Sequence, residues 1–223
     1  MTQRKMSLAL LATAALVATP SFAATTLSVT AAAALEGGFG LQVNFDGTGG
    51  SAYVQDNSPT LETVYWVVVR VNDNDLVFSP PTGGSFQFLR AFTTDAAAGT
   101  VFRINVIPGI GGVGNQRVFV LPMLDSGVFH PTGSETFITT AAAPPVNDKF
   151  VFEWNASTGP GMNDGSMRTY RGGVLRKSIL SLDTDLLRIE MIRMGGFGNT
   201  ISVGSGSELY LDDFQSYRAP ITP

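Results

Sequence analysis

Period-two alternation runs through almost the whole of this chain and confines it to β-structure. In residues 62–72, Tyr65, Val67, Val69 and Val71 fall on one side, and Val64, Trp66, Val68 and Arg70 on the other, because successive side chains of a strand point to opposite faces. In 100–107, Phe102, Ile104 and Val106 oppose Arg103 and Asn105. In 148–155, Phe150, Phe152 and Trp154 oppose Glu153 and Asn155. In 85–92, Phe86, Phe88 and Phe92 share a face with Arg90, opposite Gln87. The same pattern predicts strands near 39–45, 51–56, 116–121, 135–140, 166–171, 174–180, 186–194 and 207–217. Asp46-Gly47, Asn57-Ser58-Pro59, Pro80 to Gly84, Asn163-Asp164-Gly165 and Gly172-Gly173 supply turns between them. No stretch joins helix caps to a 3.6-residue period, although 182–188 has room for one turn. Residues 24–35 read as a linker or a first edge strand. Faces rich in aromatic and β-branched residues suit two packed sheets, so the expected fold is an all-β, two-sheet antiparallel β-sandwich.

The N-terminus is different in kind. Arg4 and Lys5 precede an apolar stretch from Leu8 to Ala18, and Pro20 and Ser21-Phe22-Ala23 follow. A basic start, a short apolar run and small residues at the cleavage positions form a secretory signal peptide, and the run is too short to span a bilayer. We expect residues 1–23 to be removed and 24–223 to be a single β-sandwich domain, periplasmic or extracellular. Removal takes two positive charges, moving the formal net charge from −4 to −6. An acidic chain with few charges argues against nucleic acid and anionic lipid as partners. The Cys count is 0, so the fold uses no disulfide. No second apolar run is long enough to predict a membrane span.

Three motifs carry a family resemblance. The segment 148–178 reads as strand, long turn, strand, tight hairpin, strand, with Trp154 in the first and Tyr170-Arg171-Gly172-Gly173-Val174 at the hairpin. Leu209-Tyr210-Leu211-Asp212-Asp213-Phe214 forms a closing apolar strand ending in acids, and Glu36-Gly37-Gly38-Phe39-Gly40 an opening turn. Together they resemble the laminin-G-like and concanavalin A-like lectin/glucanase superfamily, which implies a jelly roll. The resemblance also implies a structural calcium ion held between the opening Glu and the closing Asp. The matching positions are Glu36 and Asp212, with Asp213 as the neighbour on the opposite face. Calcium wants several oxygen ligands, which paired carboxylates supply.

The glucanases of this superfamily carry two Glu and one Asp alternating on one strand, so that one attacks and another donates a proton. No such string occurs here; Glu153 is followed by Trp154 and Asn155, and Glu190 by Met191 and Ile192. His130 is the sole histidine. Gly109 to Gly114 satisfies G-x-G-x-x-G, but the next residues predict a strand where a dinucleotide site needs a helix. What remains is a carbohydrate-binding face. Sugars are held by aromatic rings and by hydrogen-bonding polar side chains, and Trp66, Arg70, Arg103, Asn105 and Glu153 all point outward in this strand reading. Jelly-roll strands alternate between sheets, so these five are not expected on one surface. The leading expectation is an exported, non-catalytic carbohydrate-binding protein. A structural or adhesion protein binding another protein, and a polysaccharide lyase or degenerate glycoside hydrolase, stay open beside it.

Overall fold

A computed structural model describes residues 25–74, 76–78, 84–93, 99–108, 116–130, 134–137, 148–197 and 203–223. The expected leader and the Gly109–Gly114 loop lie outside these. The described residues form thirteen strands and no helix: β1 (Thr26–Thr30), β2 (Gly40–Asn44), β3 (Ala52–Asp56), β4 (Val64–Asn72), β5 (Phe86–Phe92), β6 (Phe102–Ile107), β7 (Arg117–Pro122), β8 (Ser134–Phe137), β9 (Asp148–Asn155), β10 (Gly165–Arg171), β11 (Val174–Leu182), β12 (Met191–Phe197) and β13 (Glu208–Tyr217). A seven-stranded sheet runs β1-β2-β13-β4-β9-β10-β11, and a six-stranded sheet β3-β12-β5-β6-β7-β8. All pairings are antiparallel. The two-sheet sandwich expected from the alternation is therefore the observed fold. No helix among the described residues is long and apolar enough to cross a membrane.

The core lies between the sheets. Val67, Val69, Phe150, Phe152 and Trp154 enter it from the seven-stranded sheet, and Phe86, Phe88, Phe102, Ile104 and Val106 from the six-stranded one. All ten are buried. The Gly172-Gly173 hairpin joins β10 to β11 with φ of 57° and 77°. Two consecutive positive φ values make the mirror-image turn that matches strand twist, which glycine adopts without steric cost. β6 and β7 also pair as an antiparallel hairpin, with Ile107 opposite Arg117. A strand, not a helix, thus follows the glycine-rich loop.

Two register shifts change what period two alone predicts. Gln87 pairs with Asn105 but Leu89 with Ile104, so Phe88 is an extra residue in β5. A bulge reverses the parity of all that follows it. Leu89 and Ala91 therefore face the core, and Arg90 and Phe92 face out. The sequence reading, which put Arg90 and Phe92 on the face of Phe86, is corrected here. A second shift falls between Asp212 and Gln215 in β13, where Asp213 takes φ 50°. It brings the Asp213 carboxylate to Arg70, although unbroken alternation places it on the opposite face.

β12 begins and ends later than expected, at 191–197 rather than 186–194. The discrepancy is Gly195-Gly196, which reads as a breaker. In the fold Gly195 lies against β3: a Cβ there would meet the Ala52 carbonyl oxygen at 2.3 Å, and its φ is 149°. These glycines let two chains approach rather than end the strand.

Candidate ligand-binding face

Three arginines stand side by side on the outer face of the six-stranded sheet. Arg193 of β12 pairs with Arg90 of β5, and Arg90 with Arg103 of β6. Like charges directly opposite one another disfavour the folded sheet. No described carboxylate forms an ion pair with any of the three. Aromatic rings partly offset the cost. The Arg193 guanidinium lies 4.4 Å from the Tyr53 ring centroid and 4.7 Å from that of Phe92, Arg90 4.5 Å from Phe92, and Arg103 3.9 Å from Phe129. Such contacts attract through the ring quadrupole. Arg90 Nε donates to Thr100 Oγ1 at 2.8 Å, and Arg193 Nε to Gln55 Oε1 at 2.8 Å. Partial burial, and then Arg103 and Arg193, push the Arg90 guanidinium below its ordinary value. Arg103 is lowered by burial, and its Nε has no hydrogen-bond partner.

The neighbouring cross-strand pair adds polar groups to the same face. Gln87 Oε1 and Asn105 Oδ1 are buried acceptors without a donor. Asn105 Nδ2 reaches Ser85 Oγ at 3.3 Å. Aromatic rings, forked donors and amides within one sheet face are the chemistry by which proteins hold polar rings and chains.

Of the five outward residues predicted, Arg103 and Asn105 are here. Trp66, Arg70 and Glu153 are on the outer face of the other sheet, as the alternation of strands between sheets led us to expect. That second face is internally paired. Glu153, 5% exposed, accepts from Arg168 Nη1 at 2.6 Å, Tyr170 Oη at 2.9 Å and Asn155 Nδ2 at 2.8 Å. Burial first, and Glu153 second, raise the Tyr170 phenol. Trp66 is 4% exposed. It stacks on Tyr170 at 5.9 Å, in a small apolar cluster with Val68, Val151, Tyr217 and Ile221. The chain's own C-terminal segment therefore covers the ring that sequence reasoning offered to a ligand.

Of the three residues assigned to calcium, Glu36 and Asp213 meet around the Arg70 guanidinium, whereas Asp212 is held by backbone amides. Arg70 Nε donates to Glu36 Oε2 at 2.7 Å and lies 3.6 Å from Asp213 Oδ2. Asp212 Oδ2 accepts from the Leu35 and Glu36 amides at 2.8 Å each, and its Oδ1 from the Asp213 amide at 2.7 Å. Asp212 thus ties the opening turn to the closing strand through backbone amides, and Arg70 supplies the local positive charge. A calcium ion at this place has to compete with both. Among the described residues, the group whose carboxylates lie close enough together to hold a cation is elsewhere: Asp125, Asp183 and Asp185, within 4.8 Å of one another. Burial, then Asp185 and Asp183, raise the Asp125 carboxyl, against the lowering effect of the Leu186 amide.

No family model and no curated protein matches the sequence. Solved structures do match. A cellulose-induced protein, Cip1, is 13% identical with TM-score 0.57, covering 90% of this chain and 88% of its own. An endo-β-1,4-glucuronan lyase from the fungus Trichoderma reesei is 12% identical with TM-score 0.55, covering 86% of each. A botulinum neurotoxin type C structure is 12% identical with TM-score 0.52; it covers 90% of this chain, which spans 44% of the toxin chain. The shared feature is the jelly-roll β-sandwich. Identities this low show the fold alone.

Sequence reasoning missed Arg90, Arg193, Tyr53, Phe92 and Phe129. For Arg90 and Phe92 the cause is the bulge at Phe88; for Arg193 it is the displaced start and end of β12. A usable signal was present in the charges. Between Leu76 and Leu124 the sequence contains Arg90, Arg103 and Arg117 and a single acid, Asp95. In a chain of net charge −4 that local excess of arginine marks a face.

Proposed function

We propose that this chain is an exported, non-catalytic carbohydrate-binding β-sandwich. Its binding face is the outer surface of the six-stranded sheet. The observation that carries this reading is the arginine row flanked by Tyr53, Phe92, Phe129, Gln87 and Asn105. Stacking rings and hydrogen-bonding side chains lie together there without an internal partner for every donor and acceptor. The solved structures lend support of a broader kind: this fold serves a glucuronan lyase, and a neurotoxin whose cell entry depends on interaction with two ganglioside molecules. Glu153 lies on the opposite sheet, tied to Arg168 and Tyr170. That cluster favours the enzyme reading as the alternative.

A glycan array with residues 24–223 tests the proposal. Binding to a defined set of glycans, lost in Arg90→Ala and retained in Leu175→Ser on the distant β11 edge, is the expected result. No glycan binding at any site, or binding unaffected by Arg90→Ala, overturns it. Release of reducing sugars or unsaturated products from a polysaccharide overturns the non-catalytic part and turns attention to Glu153.

A further inference from the structure

We infer that the saccharide recognised by this face is acidic, a uronate-bearing polysaccharide held through its carboxylates by Arg193, Arg90 and Arg103. The inference rests on the carbohydrate-binding reading and names the class of ligand. Three facts point to negative charge. The three arginines occupy directly opposed positions on three adjacent strands, so their backbone anchors repeat at the strand spacing of ~4.8 Å. No described carboxylate neutralises them. Arg103 Nε is buried with no acceptor at all.

A sheet gains nothing from such a row by itself. Burial first, and then the neighbouring Arg103 and Arg193, lower the tendency of Arg90 to carry charge. A bound anion reverses the sign of that interaction, and the fork of arginine matches the two oxygens of a carboxylate. The row then becomes a linear track of positive charge across the strands. A polymer with one charge per repeating unit is its complement.

The adjacent amides separate a sugar acid from other anions. Gln87 Oε1 and Asn105 Oδ1 lack donors and are shielded from solvent; an acceptor without a donor is costly, so a ligand hydroxyl that draws these side chains outward removes that cost. Phosphate and sulfate esters offer further acceptors; a uronate ring offers hydroxyl donors as well as a carboxylate. The net charge of −6 expected for residues 24–223 opposes a polyanion more the denser its charge, and duplex nucleic acid carries one charge per ~1.7 Å.

Titration calorimetry of residues 24–223 tests this with three probes: a linear 1,4-linked oligouronate, the same oligosaccharide after reduction of its carboxyls, and dextran sulfate. The oligouronate is expected to bind at least about tenfold tighter than its reduced form, a difference of about 1.4 kcal/mol. Its affinity should fall as salt is raised. Arg90→Gln and Arg193→Gln should each remove most of that preference, and Arg90→Lys, which keeps charge but not the fork, should restore only part of it. Arg103→Gln is a further variant should either of the first two fail to fold, as judged by melting. Equal binding of the oligouronate and its reduced form overturns the inference and leaves the carbohydrate reading standing. Dextran sulfate binding as tightly as the oligouronate overturns it in favour of a general anion surface. Failure of every glycan to bind overturns both readings.

Discussion

At the scale of single residues, two side chains carry a cost that their substitution exposes. Asp125 shares its surroundings with Asp183 and Asp185, and burial and these neighbours hold its carboxyl above the ordinary 3.8. A raised carboxyl pKa in the folded state means that ionisation opposes folding. The penalty is present above the folded value and absent below the unfolded one. Asp125→Asn should therefore raise the melting temperature at pH 7, and the gain should vanish as the pH falls below about 3.8. A loss of stability at neutral pH would show that the Leu186 amide, bonded to both oxygens at 3.2 Å, outweighs the repulsion. Trp66 is the second case. It is buried beneath Tyr170, Tyr217 and Ile221, and its Nε1 has no acceptor. Trp66→Ala should cost about 3 kcal/mol, the lower end for a buried tryptophan, and leave glycan binding intact. Trp66→Phe keeps the stack and removes the unpaired donor, so it should cost less. Thermal unfolding of both variants beside the array measures the two effects separately.

At the scale of elements, what the sequence could reveal was set by where the ladder is regular. β4, β6 and β9 hold one register along their length with their central partners, so period two sorted their faces correctly, down to Glu153 opposite Phe152. β1 was legible only as a linker or an edge strand, and the Gly172-Gly173 turn by its residues alone. β5 and β13 were not fully legible, because one extra residue in a strand leaves no mark in composition yet exchanges its two faces. That is why Arg90 was assigned to the core and Asp213 away from Arg70. The candidate site was legible only in part, through Arg103 and Asn105: Arg90 and Phe92 follow the bulge, and Arg193 lies in a strand whose bounds the glycine pair obscured. The glycine pair gives a prediction at this scale. Gly195→Ala drives a methyl to within 2.3 Å of the Ala52 carbonyl and 2.7 Å of Tyr53 Cα. Both are backbone and cannot turn aside. The change should destabilise by about 1–3 kcal/mol and, by moving Tyr53 off Arg193, weaken oligouronate binding. Equal stability in denaturant titration would show that β3 shifts freely.

At the scale of the whole molecule, the described fold begins two residues after the cleavage site expected from the sequence. The predicted cleavage follows Ala23, Thr25 is already buried at 4% exposure, and β1 starts at Thr26. β1 is the edge strand beyond β2, paired to it from Thr26 through Thr30. Cleavage at Ala23 therefore leaves a start short enough for the edge strand to form at once. A retained leader would keep the apolar stretch Leu8–Ala18 tethered next to an open sheet edge, a place where unpaired backbone groups recruit other chains. On the proposed export, cleavage and the exposure of this edge would be coupled through the same few residues. The secreted protein should begin at Ala24 by N-terminal sequencing, and its intact mass should match residues 24–223. Blocking cleavage, for instance by Ala23→Arg, should leave a longer product that associates or stays with the membrane while residues 24–223 expressed alone remain monodisperse. A mature product that still contains Leu8–Ala18 would overturn the assignment to the periplasm or the exterior. With it would go the premise that the arginine face meets a polysaccharide outside the cell.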